Sequence, residues 1–95
     1  MSKVLLEINY EVQPERREDY LKLINELKSG YESSDIAKLE VFEVQGSQNH
    51  FMEIYTYADE EAFRNADDSS FDEIVVKIND CLVPDKLRSY TLHQI

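Results

Sequence analysis

Apolar side chains fall on every second position from Val4 through Leu6, Ile8 and Tyr10 to Val12, with Glu7, Asn9 and Glu11 between them. That alternation predicts a strand over Lys3 to Val12 with one core face. Pro14 suits the first turn of a helix, where its missing N–H is no loss, and Tyr20, Leu23, Ile24, Leu27 and Tyr31 then recur at helical spacing. Gly30, just past Lys28 and Ser29, is placed to end that helix in the left-handed conformation. A polar loop through Ser33, Ser34 and Asp35 leads to a second strand from Ala37 to Val44, carrying Leu39, Val41, Phe42 and Val44. Gln45, Gly46, Ser47, Gln48 and Asn49 are turn formers between two β-rich runs, so the second and third strands are expected to form a hairpin.

The stretch from Phe51 to Phe71 is the most informative, because it reads as a strand delivered straight into a helix. Phe51, Glu53, Tyr55 and Tyr57 alternate with Met52, Ile54 and Thr56, a density of aromatic and β-branched side chains that fits a strand packed on both faces. Asp59 can cap the helix that follows, Glu60 and Glu61 suit its positive end, and Ala62, Phe63 and Ala66 make its apolar face. Asp67, Asp68, Ser69 and Ser70 interrupt it, and a fresh apolar face begins with Phe71, Ile74, Val75, Ile78 and Leu82. Pro84 and Asp85 break this second helix. Leu87 to Ile95 then alternates loosely, Tyr90 and Leu92 against Ser89, Thr91 and His93, as a final strand. The order β-α-β-β-α-α-β predicts an α+β, ferredoxin-like domain: a four-stranded antiparallel sheet with helices on one face. Its other face would carry apolar patches from Leu5, from Leu39 or Phe42, and from Phe51 or Tyr55, which two sheets packing face to face would bury.

Ninety-five residues make one domain, 1–95, small enough that a homodimer is a natural supplement to its core. Twenty acidic against ten basic side chains give a net charge of −10, which repels phosphate backbones and anionic bilayers, so no nucleic acid and no membrane partner is expected. The apolar run Val4–Leu6 is too short for a signal-peptide core or a membrane span. Cys81 is the single cysteine, which rules out an internal disulfide and fits a reducing compartment, so a cytoplasmic location is the expectation.

Candidate chemistry rests on tyrosine, carboxylate and histidine. Of six tyrosines, Tyr10, Tyr55 and Tyr57 fall on predicted strands, where they either line a pocket for a flat aromatic ligand or simply pack a core. His93, with Glu53 or Glu7 on neighbouring strands, is an acid/base candidate whose plainer reading is a surface or interface side chain. His50 falls in the hairpin turn. Two histidines without close carboxylate spacing do not suggest a metal site, and Gly30 and Gly46, the only glycines, leave no phosphate-cradling loop. Ser69 and Ser70 read as caps and Cys81 as an inert thiol on a helix face, so no nucleophile stands out.

From Tyr57 to Phe71 the chain resembles the antibiotic-biosynthesis-monooxygenase (ABM) group of dimeric α/β barrels. The likeness lies in Tyr57, Asp59, Glu61, Ala62, Phe63, Ala66, Ser69 or Ser70, and Phe71, and the element order of all 95 residues agrees. The resemblance implies a homodimer whose two sheets close a barrel, a pocket between each sheet and its helices, and oxygenase chemistry without a cofactor. Three positions depart from the group: its frequent Trp is Tyr57, its usual Glu two residues earlier is Tyr55, and its His is Ala66. In the haem-degrading branch an Asn, a Trp and a His act together; Asn9 and Tyr57 stand where the first two would be, and the His has no counterpart. Asn9 also falls on the polar side of its strand, opposite the face a cleft under the helices would use. The candidate ligand-binding set is therefore Asn9, Tyr10, Glu53, Tyr55, Tyr57, Phe63 and His93, with no bound haem, flavin or metal expected. Two functions fit this set: a cofactor-independent monooxygenase acting on a small aromatic molecule, or a non-catalytic dimeric binding module that has lost the group's His and Glu.

Overall fold

The computed structural model describes residues 2–95. At its centre lies the strand His50–Tyr57 (β3), in which Phe51, Glu53, Tyr55 and Tyr57 are buried while the side chains between them are half-buried, the period-two pattern of a strand with one face in a core. On one side β3 pairs with Lys38–Glu43 (β2) and on the other with Val4–Glu11 (β1). Arg88–His93 (β4) completes the sheet beside β1, giving the order β2-β3-β1-β4 with every neighbouring pair antiparallel.

Three helices cover one face of this sheet. Pro14–Arg16 forms a single 3-10 turn that feeds Arg17–Glu32 (α1), whose buried Tyr20, Ile24, Leu27 and Tyr31 lie at three- and four-residue intervals against the strands. Asp59 caps Glu60–Asn65 (α2): its Oδ1 accepts the Ala62 N–H at 2.8 Å. A second 3-10 turn at Ser69–Phe71, held by an Asp67 carboxylate that accepts from both the N–H and the hydroxyl of Ser69, leads into Asp72–Asn79 (α3). Val4, Tyr10 and Val12 meet Phe51, Tyr55, Tyr57 and the helix residues Tyr20, Leu27 and Ile78 in one core.

Several elements depart from the sequence expectation for identifiable reasons. Gly30 does not end α1, which continues to Glu32. It is small because Phe71 lies against it: a Cβ there would sit 2.5 Å from the Phe71 ring. The left-handed residue after the helix is Asp35, at φ 61°. Likewise α3 stops at Asn79 rather than running to Pro84, because the end of β1 recruits the backbone beyond it. Gln13 N–H donates to the Cys81 carbonyl at 2.9 Å, Val83 N–H to the Glu11 carbonyl at 2.9 Å, and Val12 forms an isolated bridge with Leu82. Cys81 therefore lies past the helix, fully buried, and burial pushes its thiol pKa up, away from an activated nucleophile. His50 begins β3 instead of sitting in the turn, its carbonyl accepting the Val44 N–H at 2.8 Å.

Register decides which side chains share a face. Leu39 stands beside Tyr55 and points to the core, whereas Phe42 stands beside Met52 on the uncovered face. That face also carries Leu5 opposite Leu92, and Ile54 and Tyr90 on either side of Glu7. Phe42, Tyr90 and Leu92 are 50%, 53% and 42% exposed, so the apolar patch lies on this side, and Phe51 and Tyr55 take no part in it.

Candidate functional site

Because β1 and β3 are paired, the side chains of Ile8 and Glu53 stand side by side on the covered face, with Tyr10 next to Phe51 one step along and Leu6 next to Tyr55 one step back. Glu53 is thus placed among aromatic rings under the helices, and only 5% of it is exposed. A buried carboxyl group is costly unless its oxygens find donors. Both do: Tyr10 donates its hydroxyl to Oε2, and Tyr55, two residues along the same strand, donates to Oε1 at 2.5 Å. The Tyr20 hydroxyl, brought in by α1, is 2.7 Å from that of Tyr10. Since the Tyr10 proton is committed to Glu53, Tyr20 is the donor in that contact. The result is a chain of three phenols converging on one carboxylate.

Burial dominates the electrostatics here. It raises the Glu53 pKa above the ordinary carboxyl range, while the hydrogen bonds from Tyr10 and Tyr55 pull it partly back. Burial, followed by the nearby carboxylate, drives the Tyr10 and Tyr55 pKa values far up, and burial does the same to Tyr20. The phenols accordingly remain protonated donors to the Glu53 carboxyl group.

Beside this network lies a cavity of about 270 Å³ between the sheet and α1 and α3. Leu6, Ile8, Leu27 and Ile78 give it apolar walls, and Tyr10, Tyr31, Tyr55 and Tyr57 add aromatic ones. Glu53 is the charge in its buried part, and the exposed residues Asp68, Val75, Leu87 and Ser89 line its outer side. An apolar cavity of about 150 Å³ holds a benzene, so this one has room for one ring or two fused rings. Tyr31 stacks on Phe71 with centroids 4.5 Å apart, meets Tyr55 edge-on at 5.2 Å and donates to Asp68 Oδ2 at 3.4 Å. Tyr57 is held edge-on by Phe63 at 5.1 Å. Its pKa is raised by burial and then by Asp68, with no hydrogen bond contributing, so its hydroxyl is a polar group left over for a ligand.

The seven candidates named from the sequence separate in space. Tyr10, Glu53, Tyr55 and Tyr57 line the cavity together. Phe63 stands behind Tyr57 as its support and does not line it. Asn9 lies on the opposite face of the sheet, where its Nδ2 donates to Glu7 Oε2 at 2.7 Å. His93 is also away from the cavity: its Nδ1 is 3.5 Å from Glu60 Oε2 at the start of α2, so its carboxylate neighbour is neither Glu53 nor Glu7. The sequence reading missed Tyr20, Tyr31 and Asp68 as parts of the site. Two tyrosines on the apolar stripe of α1 were the available signal, since each buried hydroxyl requires a partner. Among the described residues, no group of three or more His, Cys, Asp or Glu comes together in a metal-binding arrangement.

These features define a class: a small α+β protein with a ferredoxin-like sheet and a tyrosine-lined cleft, closed by a buried glutamate, under its helices. Solved structures named as antibiotic biosynthesis monooxygenases share that fold. A Caulobacter crescentus CB15 protein named as a candidate antibiotic biosynthesis monooxygenase superposes with a TM-score of 0.85 at 10% identity, over 99% of this chain and 91% of its own. An antibiotic biosynthesis monooxygenase matches at 0.74 and 22% identity, over 100% and 97%. A variant of SnoaB, a cofactor-independent oxygenase from Streptomyces nogalater, matches at 0.76 and 12%, over 95% and 90%. No protein-family model and no curated protein matches the sequence. The chain therefore shares the ABM-like fold, at identities that speak to architecture alone.

Proposed function

We propose that the protein is a cofactor-independent monooxygenase acting on a small electron-rich aromatic molecule bound in the sheet-helix cleft. The observation that carries this reading is Glu53: a carboxylate of raised pKa, buried at an apolar cavity of ring size and held by two phenols. A base whose pKa is moved toward neutrality is better matched to taking a phenolic proton. The aromatic walls orient the ring, and the free Tyr57 hydroxyl supplies a second polar contact. For a naphthol the reaction balances without another reductant. One atom of O₂ becomes the new ring carbonyl, and the other leaves as water with the hydrogens lost from the ring C–H and the O–H. The named activity of SnoaB and the shared fold support the reaction class.

We further propose a homodimer joined through the uncovered sheet face, a reading supported by the exposed Phe42, Tyr90 and Leu92 on that side. A second reading, a binding module without turnover, is favoured by one observation: the position where the resemblance expects a histidine is Ala66, packed against the core. An oxygen electrode with 1-naphthol separates the two. The monooxygenase reading expects one O₂ consumed per quinone formed, and a loss of about 10²-fold or more in rate for Glu53→Gln. Tyr57→Phe should keep the fold and weaken binding by about 0.5 to 1.5 kcal/mol, the worth of one neutral hydrogen bond. Saturable binding with no oxygen uptake would support the module instead.

A further inference from the structure

We propose that the cleft sorts ligands by charge: it admits small aromatic molecules that are neutral or carry a protonated amine, holds the amine most tightly, and refuses those bearing a carboxylate or phosphate. This rests on the reading of the cleft as an aromatic site and adds the charge of the ligand.

The composition of the walls carries the inference. Glu53 and Asp68 are both carboxylates, and none of the described residues lining the cavity is Lys, Arg or His. Arg17 lies outside the lining and is engaged elsewhere: it grips Glu43 with two hydrogen bonds of 2.7 and 2.8 Å and Asn49 with a third of 2.7 Å. Glu53 is therefore a buried carboxyl group partnered by phenol dipoles and by no cation, so its ionised form is stabilised by any cation brought beside it. Its two oxygens offer roughly four acceptor sites, of which the phenols of Tyr10 and Tyr55 occupy one on each oxygen. The remaining capacity suits an N–H or O–H donor, and most of all an ammonium group, whose charge would offset that of the carboxylate in a medium where water screens neither. Tyr31 and Tyr57 add ring faces that attract cations. A ligand carboxylate meets the reverse conditions. It would be desolvated beside a like charge with only neutral donors, such as the Tyr57 hydroxyl and the Asn79 amide, to receive it. The chain's net charge of −10 adds a long-range field of the same sign.

Three probes share one ring and differ in charge: tyramine, 4-ethylphenol and 4-hydroxyphenylacetate, titrated calorimetrically near neutral pH, with propylamine as a ring-free control. The expected order is tyramine over 4-ethylphenol by about tenfold or more, with no heat from the acid over the same range. Glu53→Gln should abolish the advantage of tyramine over 4-ethylphenol. Should that variant fail to fold, Asp68→Asn at the exposed outer side should reduce the advantage. Equal affinity for all three ring compounds, or tighter binding of the acid, overturns the charge filter and leaves the aromatic site standing. Propylamine binding as tightly as tyramine overturns the aromatic site and leaves the filter standing. Failure of all four to bind overturns both.

Discussion

Glu53 is held in place by opposing demands. Its position on the covered face of β3 removes it from water, which favours the protonated acid, while Tyr10 and Tyr55 point their hydroxyls at it, which favours the anion. Burial is the larger effect, so the folded-state pKa stands above the ordinary carboxyl value of 4.5. The folded protein consequently binds this proton more tightly than the unfolded chain does. The stability so contributed is fully present below the unfolded pKa and is lost as pH rises through the folded one. Glu43 acts in the opposite sense: hydrogen bonding to Arg17 lowers its pKa, so its contribution is present above the ordinary value and is lost as pH falls through the lowered one. Glu53→Gln preserves shape and cannot ionise. The amount by which the parent out-melts this variant should therefore shrink as pH is raised from 4.5 through neutrality. Thermal denaturation across that range checks it, and a difference that stays flat or widens with pH would mean that Glu53 is not held above its ordinary pKa.

At the scale of elements, the departures from the sequence reading share a cause, which is that local signals compete with contacts made across the fold. Gly30 carried the usual mark of a helix end, yet its role is to admit the Phe71 ring, which stacks on Tyr31 and so steadies one wall of the cleft. Gly30→Ala would gain about 1 kcal/mol of helix propensity but force the ring away from 2.5 Å, an overpacking cost of about 2 kcal/mol. The net expectation is a loss of about 1 kcal/mol in denaturant unfolding; a gain in stability would show that Phe71 moves aside freely. The strands were easier to read, because their alternation is short-range and strict. Phe51, Glu53, Tyr55 and Tyr57 could be put on one face from spacing alone, and that face proved to be the one beneath the helices. Tyr20 and Tyr31 were legible as core and not as site, since periodicity reports burial and is silent about which hydroxyl meets which carboxylate. The end of α3 was hidden for a similar reason: nothing local to Cys81 and Leu82 announces that Glu11 and Gln13 will take their backbone groups.

For the whole molecule, helices cover one face of the sheet and leave the other with Leu5, Phe42, Met52, Ile54, Tyr90 and Leu92 clustered around Glu7, Asn9 and Glu40. Large apolar side chains exposed to this extent on a central sheet are the mark of an interface. A homodimer is therefore expected by sedimentation at micromolar concentration, and Tyr90→Lys should shift it toward monomer without altering Glu53 or its partners on the far face. A parent protein that sediments as a monomer would contradict the proposed assembly. The cleft opens beside β4, whose residues are all exposed in the single chain, so the state of assembly also bears on how far a ligand is shielded from water.

The central claim is that an aromatic ring occupies the cleft with a donor turned toward Glu53, and a crystal grown or soaked with 4-ethylphenol tests it most directly. The ring is expected among Tyr31, Tyr57 and Ile78, its hydroxyl within hydrogen-bonding distance of the Glu53 carboxylate or the Tyr57 hydroxyl. A ring bound elsewhere on the molecule, or a cleft without ligand at saturating concentration, would contradict it.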